Sequence, residues 1–226
     1  MCSTVSEGAI VPKKSWYGLV TFEWTDGEWS YGKYFENVQL NVENIQRSES
    51  QLKILEPQEA KKMLDVFLAI DGNNTAQIKY MQKVAEQWSK KVRVGHITRV
   101  DAWTAFTSTV MKTLEYPLLA LTLSESECGA IMSPVLSEGL PKMGICRSMA
   151  RSLVHAPTKF QGLGIYNLYT TQGLIHVKEL LNHIWRKTET GKLLRTTMEF
   201  AKLEAGIRGS LFALDYELHG HLCEDT

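Results

Sequence analysis

Residues 64–123 open with Leu64-Asp-Val-Phe-Leu-Ala-Ile-Asp-Gly-Asn-Asn74 and close with Tyr116-Pro-Leu-Leu-Ala-Leu-Thr-Leu123, and their reading decides the fold. The apolar run at 63–69 is short enough to favour a strand over a helix. Asp71-Gly72-Asn73-Asn74 then reads as a turn and a helix cap, with Gln77 placed to reach back to Asn74 in a capping box. A helix is expected over about 75–93. Its apolar residues Ile78, Met81, Ala85, Trp88 and Val92 advance by 3, 4, 3 and 4, as on a helix with one buried face. Gly95 is expected to end it. Asp101 then reads as the cap of a second helix with Trp103, Phe106, Val110 and Leu114 inward, and Pro117 stops or kinks that helix.

Upstream, residues 16–35 carry a hairpin signal. Asp26-Gly27 supplies the positive φ angles of a two-residue type I′ turn. With that pair at the centre, Trp24 faces Trp29 and Phe22 faces Tyr31. Cross-strand aromatic pairs add about 0.5–1 kcal/mol each beyond burial. Base stacking on an exposed aromatic platform is the other use of such rings, and the matched register favours packing. Residues 1–14 read as a loose terminus and 36–56 as a loop ending in a strand near 52–54. Pro57 suits the first position of a short helix, 57–62.

Downstream, Ser124 and Glu127 form a second capping-box pattern before a stripe of Cys128, Ile131, Met132 and Val135. Pro134 is expected to bend that helix and Gly139 to mark its exit. Residues 140–165 are irregular and hold Arg147, Arg151 and Lys159. A fourth helix is expected over 168–186 with Leu174, Val177, Leu181 and Ile184 inward, and a fifth over 191–205. The fold class is therefore α+β and mainly helical: an N-terminal antiparallel hairpin or small sheet, then a bundle of about five helices. The parts are a loose terminus (1–14), a strand-rich part (15–72), a helical domain (73–208) and an acidic tail (209–226).

The 226 residues carry no net charge, which gives no bulk attraction to a polyanion or a membrane. The distribution is uneven. Residues 1–75 hold 7 Lys/Arg against 11 Asp/Glu, and residues 76–208 hold 18 against 10. The basic excess belongs to the helical part. The cysteines at 2, 128, 146 and 223 lack a C-x-x-C spacing, and no apolar leader or 18-residue apolar run occurs. An intracellular protein, cytoplasmic or nuclear and off the membrane, is expected.

Catalytic patterns are absent from the sequence. None of G-x-S-x-G, H-E-x-x-H or the P-loop motif occurs, and no two aspartates are adjacent. His219, His221 and Cys223 alternate like ligands on one strand face, but read as ordinary tail residues. His176 and His183, two turns apart, read as a packed or solvated pair. Cys128 faces the core of its helix, which suits an inert thiol. No catalytic residue, metal or cofactor is implied. What remains is basic: Lys79, Lys83 and Lys90 share one helix face, with Lys91, Arg93 and Arg99 close by in sequence. Such a face can follow a phosphate backbone; the other reading is a solvated face, diluted by Glu86. Arg147 and Arg151 complete the basic candidates.

From about residue 15 to 181 the chain resembles the region downstream of the palm in reverse transcriptases of non-LTR-type retroelements. Residues 64–77 look like that family's L-G-V-x-L-A-P-D-G-N-x-x-x-Q segment, which links the primer-grip hairpin to the thumb. Ala102-Trp103, Thr113-Leu-Glu-Tyr-Pro117, Gly162-Leu-Gly-Ile165 and Thr171-Gln-Gly173 follow in the expected order, and the F-x-W-x-x-G-x-W hairpin lies upstream. Asp65 stands where the pattern has glycine, Ile70 where it has proline, and Leu119 where a proline is common after Tyr-Pro. The fingers and palm, with their catalytic aspartates, are not in these residues. The resemblance implies a catalytically inactive, thumb-like fragment that held a primer–template duplex. Its partners would be an RNA or DNA duplex and a palm-containing polymerase chain. The alternative is a helical protein-interaction module with no nucleic-acid role.

Overall fold

A computed structural model describes residues 15–25, 28–33, 40–43, 49–204 and 206–210. Within them the fold is α+β and mainly helical, with short strands preceding the helices. The chain divides into two compact units, residues 1–147 and 148–226, so the boundary falls inside the span 73–208. The terminus 1–14, the Asp26-Gly27 turn, and His219, His221 and Cys223 lie outside the described residues.

In the first unit the strands pair two by two. β1 (Trp16–Tyr17) runs parallel to β6 (Lys53–Ile54), and β2 (Val20–Thr25) antiparallel to β3 (Glu28–Lys33). β4 (Asn41–Glu43) pairs with β5 (Glu49–Gln51), and β7 (Lys61–Met63) with β8 (Val66–Leu68), both antiparallel. The β2–β3 register sets Phe22 opposite Tyr31 and Trp24 opposite Trp29, as the hairpin pattern predicts. Phe22 and Trp24 are exposed, at 69% and 61%.

The short helix expected at 57–62 does not form. Pro57 is buried, its carbonyl accepts the Asp71 N–H at 3.1 Å, and Lys61–Met63 is drawn into the ladder with β8. The apolar run behind it is not one strand either. Leu64 and Asp65 turn it back on itself at φ +46° and +67°. Both central residues thus hold the left-handed conformation of a type I′ turn.

The helices of this unit are α1 (Thr75–Val94), α2 (Arg99–Ala105), α3 (Met111–Glu115) and α4 (Glu125–Lys142). A π-helical turn at Phe106–Val110 joins α2 to α3, and a 3-10 turn at Tyr116–Ala120 follows, with Pro117 ending the α-helix as expected. α1 buries Gln77, Met81, Ala85, Ser89 and Val92. The stripe's axis is the expected one; Ile78 and Trp88 lie half-buried at its edges. The next face is Ala102, Phe106, Val110, Met111 and Leu114, all buried, whereas Trp103 is 38% exposed. It stacks on Phe106 from outside, ring centroids 6.5 Å apart. The π turn inserts one extra residue per turn and shifts which residues face inward.

Three caps differ from expectation. Asn74 makes no side-chain cap bond; its Nδ2 donates to Thr122 O at 3.0 Å, and Asn73 Oδ1 takes the Thr75 N–H at 2.8 Å. Gln77 turns inward and cannot reach back. The cap of α2 is Thr98, whose Oγ1 accepts the Asp101 N–H at 3.2 Å and donates to Asp101 Oδ2 at 2.7 Å. Gly139 is not an exit: α4 runs on to Lys142, and Gly139 is buried beneath the Trp88 ring. A Cβ there would lie 3.3 Å from Trp88 Cη2 and 3.5 Å from Phe106 Cδ2. Ser124 with Glu127 forms the capping box that its spacing predicts, and Cys128, Ile131, Met132 and Val135 are all buried.

The second unit holds α5 (Arg151–His155), a 3-10 turn at Thr158–Phe160, α6 (Leu168–Ile184) and α7 (Glu189–Glu204). α6 packs on α7. Arg195 Nη1 donates to the Ile184 carbonyl at 2.5 Å, tying the two helices across their connection. Leu174, Val177 and Leu181, expected inward, are 67%, 49% and 54% exposed, and only Ile184 of that stripe is buried. α6 instead buries Leu168 and Gln172 and half-buries Ile175 and Glu179, on its opposite side. Leu193, Phe200 and Leu203 of α7 are exposed as well.

Candidate nucleic-acid interface

α1 and α4 of the first unit run side by side in one direction. Asn74 reaches Thr122 just before α4 at one end, and Lys142 Nζ donates to Gly95 O at 2.9 Å at the other. The buried face of α1 therefore packs on α4 along its length, and the outer face is left to solvent. At 100° per residue, Lys79, Lys83 and Lys90 lie within about 40° of one another and nearly opposite the buried stripe. All three are exposed. None is in an ion pair among the described residues, so their charge is not compensated at contact distance. Glu86 shares the face.

The other basic candidates serve different positions. Lys91 and Arg93 occupy the last turn of α1, where a cation faces the negative end of the helix dipole. Arg99 lies over Gly144, which takes φ +83° just beyond α4; a Cβ on Gly144 would meet Arg99 Nε at 3.0 Å. Arg147 folds back on α4, donating from Nε to Ser137 O at 2.7 Å and lying 3.4 Å from the Glu138 carboxylate. Arg99 and Arg147 thus attend the C-terminal end of α4, and Lys142, which no sequence motif singled out, bridges the ends of α1 and α4. A lysine in the last turn of a helix is the signal that would have found it. Arg151 is exposed on α5 and belongs to the second unit.

At its N-terminal end α1 carries the β7–β8 hairpin. Gln77 Oε1 accepts the Phe67 N–H at 2.8 Å, and the Phe67 and Tyr80 rings meet at 5.5 Å. Lys62 Nζ lies 5.6 Å over Tyr80 and pairs with Asp65 at 2.7 Å. The hydrogen bond and charge of Asp65 raise the Lys62 pKa above its ordinary value. From the far side Tyr116 OH donates to Leu64 O at 3.0 Å. The hairpin, with Leu64 exposed at its tip, is thus held by Gln77 and Tyr80 of α1 and by Tyr116.

The described residues contain no group of three side chains able to hold a metal ion, and no helix among them is long and apolar enough to cross a membrane. Burial pushes the Cys128 thiol up to about 11, with Glu127 and Glu125 adding to the rise, so it stays protonated at neutral pH. No protein-family model matches the chain, and neither a curated protein nor a solved structure matches it.

Proposed function

We propose that this chain is a catalytically inactive, reverse-transcriptase-like thumb fragment whose α1 face binds a nucleic-acid duplex through its phosphates. The observation that carries this reading is the lysine row Lys79, Lys83 and Lys90, exposed, without ion-pair partners among the described residues and backed by a buried helix face. The hairpin supports it. The family pattern has glycine where this chain has Asp65, and that residue sits at φ +67°, a conformation glycine adopts without strain. An RNA or DNA duplex is the ligand and a palm-bearing polymerase chain the natural partner, inside the cell. Salt titration of duplex binding tests the reading. Phosphate contacts give a log–log slope of about −0.9 per phosphate neutralised, so a near-flat slope is the contrary result.

The second reading, a helical protein-interaction module, is favoured by the exposed apolar residues Leu174, Val177 and Leu181 on α6 and Leu193, Phe200 and Leu203 on α7. Apolar rows of this kind mark interfaces with other proteins.

A further inference from the structure

We infer that the N-terminal segment of the second unit is a stacking surface for single-stranded nucleic acid, built from Phe160, Tyr166, Tyr169, Arg151 and Lys159. Residues 151–166 form a closed loop held by its own backbone. Leu163 and Ile165 donate to the carbonyls of Leu153 and Val154 at 3.0 and 3.1 Å, and Gly164 donates to Ala156 at 2.9 Å. The returning chain lies so close that a Cβ on Gly162 would collide with the Ala156 carbonyl. His155 Nδ1 is 2.9 Å from Ile165 O, a further tie across the loop.

On this rigid base the large rings point outward. Phe160, in the 3-10 turn at the loop tip, is 70% exposed, and Tyr166 and Tyr169, where the loop runs into α6, are 60% and 46% exposed. Lys159 Nζ lies 5.8 Å from the Phe160 ring centre, which sets a cation beside an open aromatic face. Arg151 and Lys159 are both exposed. The Tyr169 and Thr170 amides are already taken by Asn167 Oδ1, so the end of α6 presents rings, not free N–H groups.

Charge selects the occupant. Residues 148–178 contain Arg151, Lys159 and Lys178 and not one Asp or Glu. A stretch that carries cations and no carboxylate of its own suits a polyanion. Exposed rings interleaved with cations are what binds unpaired bases, because every base has a face to stack while its phosphate meets the cation. A duplex, whose bases are already stacked on each other, has no use for the rings. This surface is separate from the α1 face: it belongs to a different unit and takes a different form of nucleic acid.

The test uses the full chain and a labelled oligothymidylate of about 16 nucleotides, read by fluorescence anisotropy. Tyr166→Leu, Tyr169→Leu and Phe160→Leu are each expected to weaken binding about five-fold or more, since one stacked base contributes on that scale. Tyr166→Phe keeps the ring and should bind like the parent. A duplex of the same length should bind the three leucine variants as it binds the parent, which separates this site from the duplex face. Failure of the parent chain to shift the oligonucleotide, as a protein occupant implies, overturns the inference. So does equal binding by the leucine variants, their far-UV spectra confirming that they are folded.

Discussion

The side-chain oxygen of Gln77, a residue 1% exposed, accepts the backbone N–H of Phe67 at 2.8 Å, and so couples the β7–β8 hairpin to the first turn of α1. Replacing it by leucine strands that N–H in the interior. Gln77→Leu should cost about 1–3 kcal/mol, read as a lower urea midpoint at unchanged slope. A loss below about 0.5 kcal/mol would mean that water or another group satisfies the Phe67 amide.

The turn at the other end of that hairpin stores strain. Leu64 and Asp65 both sit at positive φ, where asparagine and glycine are far better accommodated. Leu64→Asn with Asp65→Gly gives up the exposed Lys62–Asp65 pair, which solvent screens to a small contribution. The double change should still gain about 1 kcal/mol in stability. An unchanged or lower denaturation midpoint would contradict the turn geometry.

Gly139 distinguishes close packing from helix termination. It lies within α4 and has no left-handed φ, so Gly139→Ala gains helix propensity worth about 1 kcal/mol, while its Cβ presses on Trp88 at 3.3 Å. The two effects oppose each other and the net change should be small. Gly139→Leu has no room under that ring and should cost about 2–3 kcal/mol or more. A well-tolerated leucine would rule out the packing.

How much of this was legible depends on the kind of signal. Ser124 with Glu127 was readable because a capping box is local: both partners lie within one turn. The stripe axis of α1 was readable from spacing, but not that Gln77 belongs inside, because its partner Phe67 is ten residues away and on a hairpin. Trp103 was misplaced because nothing in the sequence announces a π turn. Leu174, Val177 and Leu181 were misassigned for a different reason: periodicity identifies an apolar row without saying what, if anything, covers it. Of the basic candidates, the Lys79–Lys83–Lys90 face followed from helix geometry alone. The roles of Arg99 and Arg147 at the end of α4 needed the fold.

Cys128 gives a pH prediction. Its thiol is pushed up to about 11 in the fold from an ordinary value near 9. The folded state therefore keeps a proton that the unfolded chain releases, and stability present below about pH 9 is lost as pH rises towards 11. Cys128→Val should flatten the decline in urea midpoint between about pH 8 and 10.5. Parallel declines in the two proteins would show that the thiol is not the group responsible.

The most direct measurement of the central claim is duplex binding by the chain with Lys79, Lys83 and Lys90 all changed to Glu. These side chains are exposed, so the variant should keep its thermal midpoint to within a few degrees. If the α1 face holds the duplex, affinity falls and the log–log salt slope flattens by about three units, one for each phosphate no longer neutralised. Unchanged affinity and slope in a folded triple variant would contradict the account and leave α1 with an ordinary solvated face.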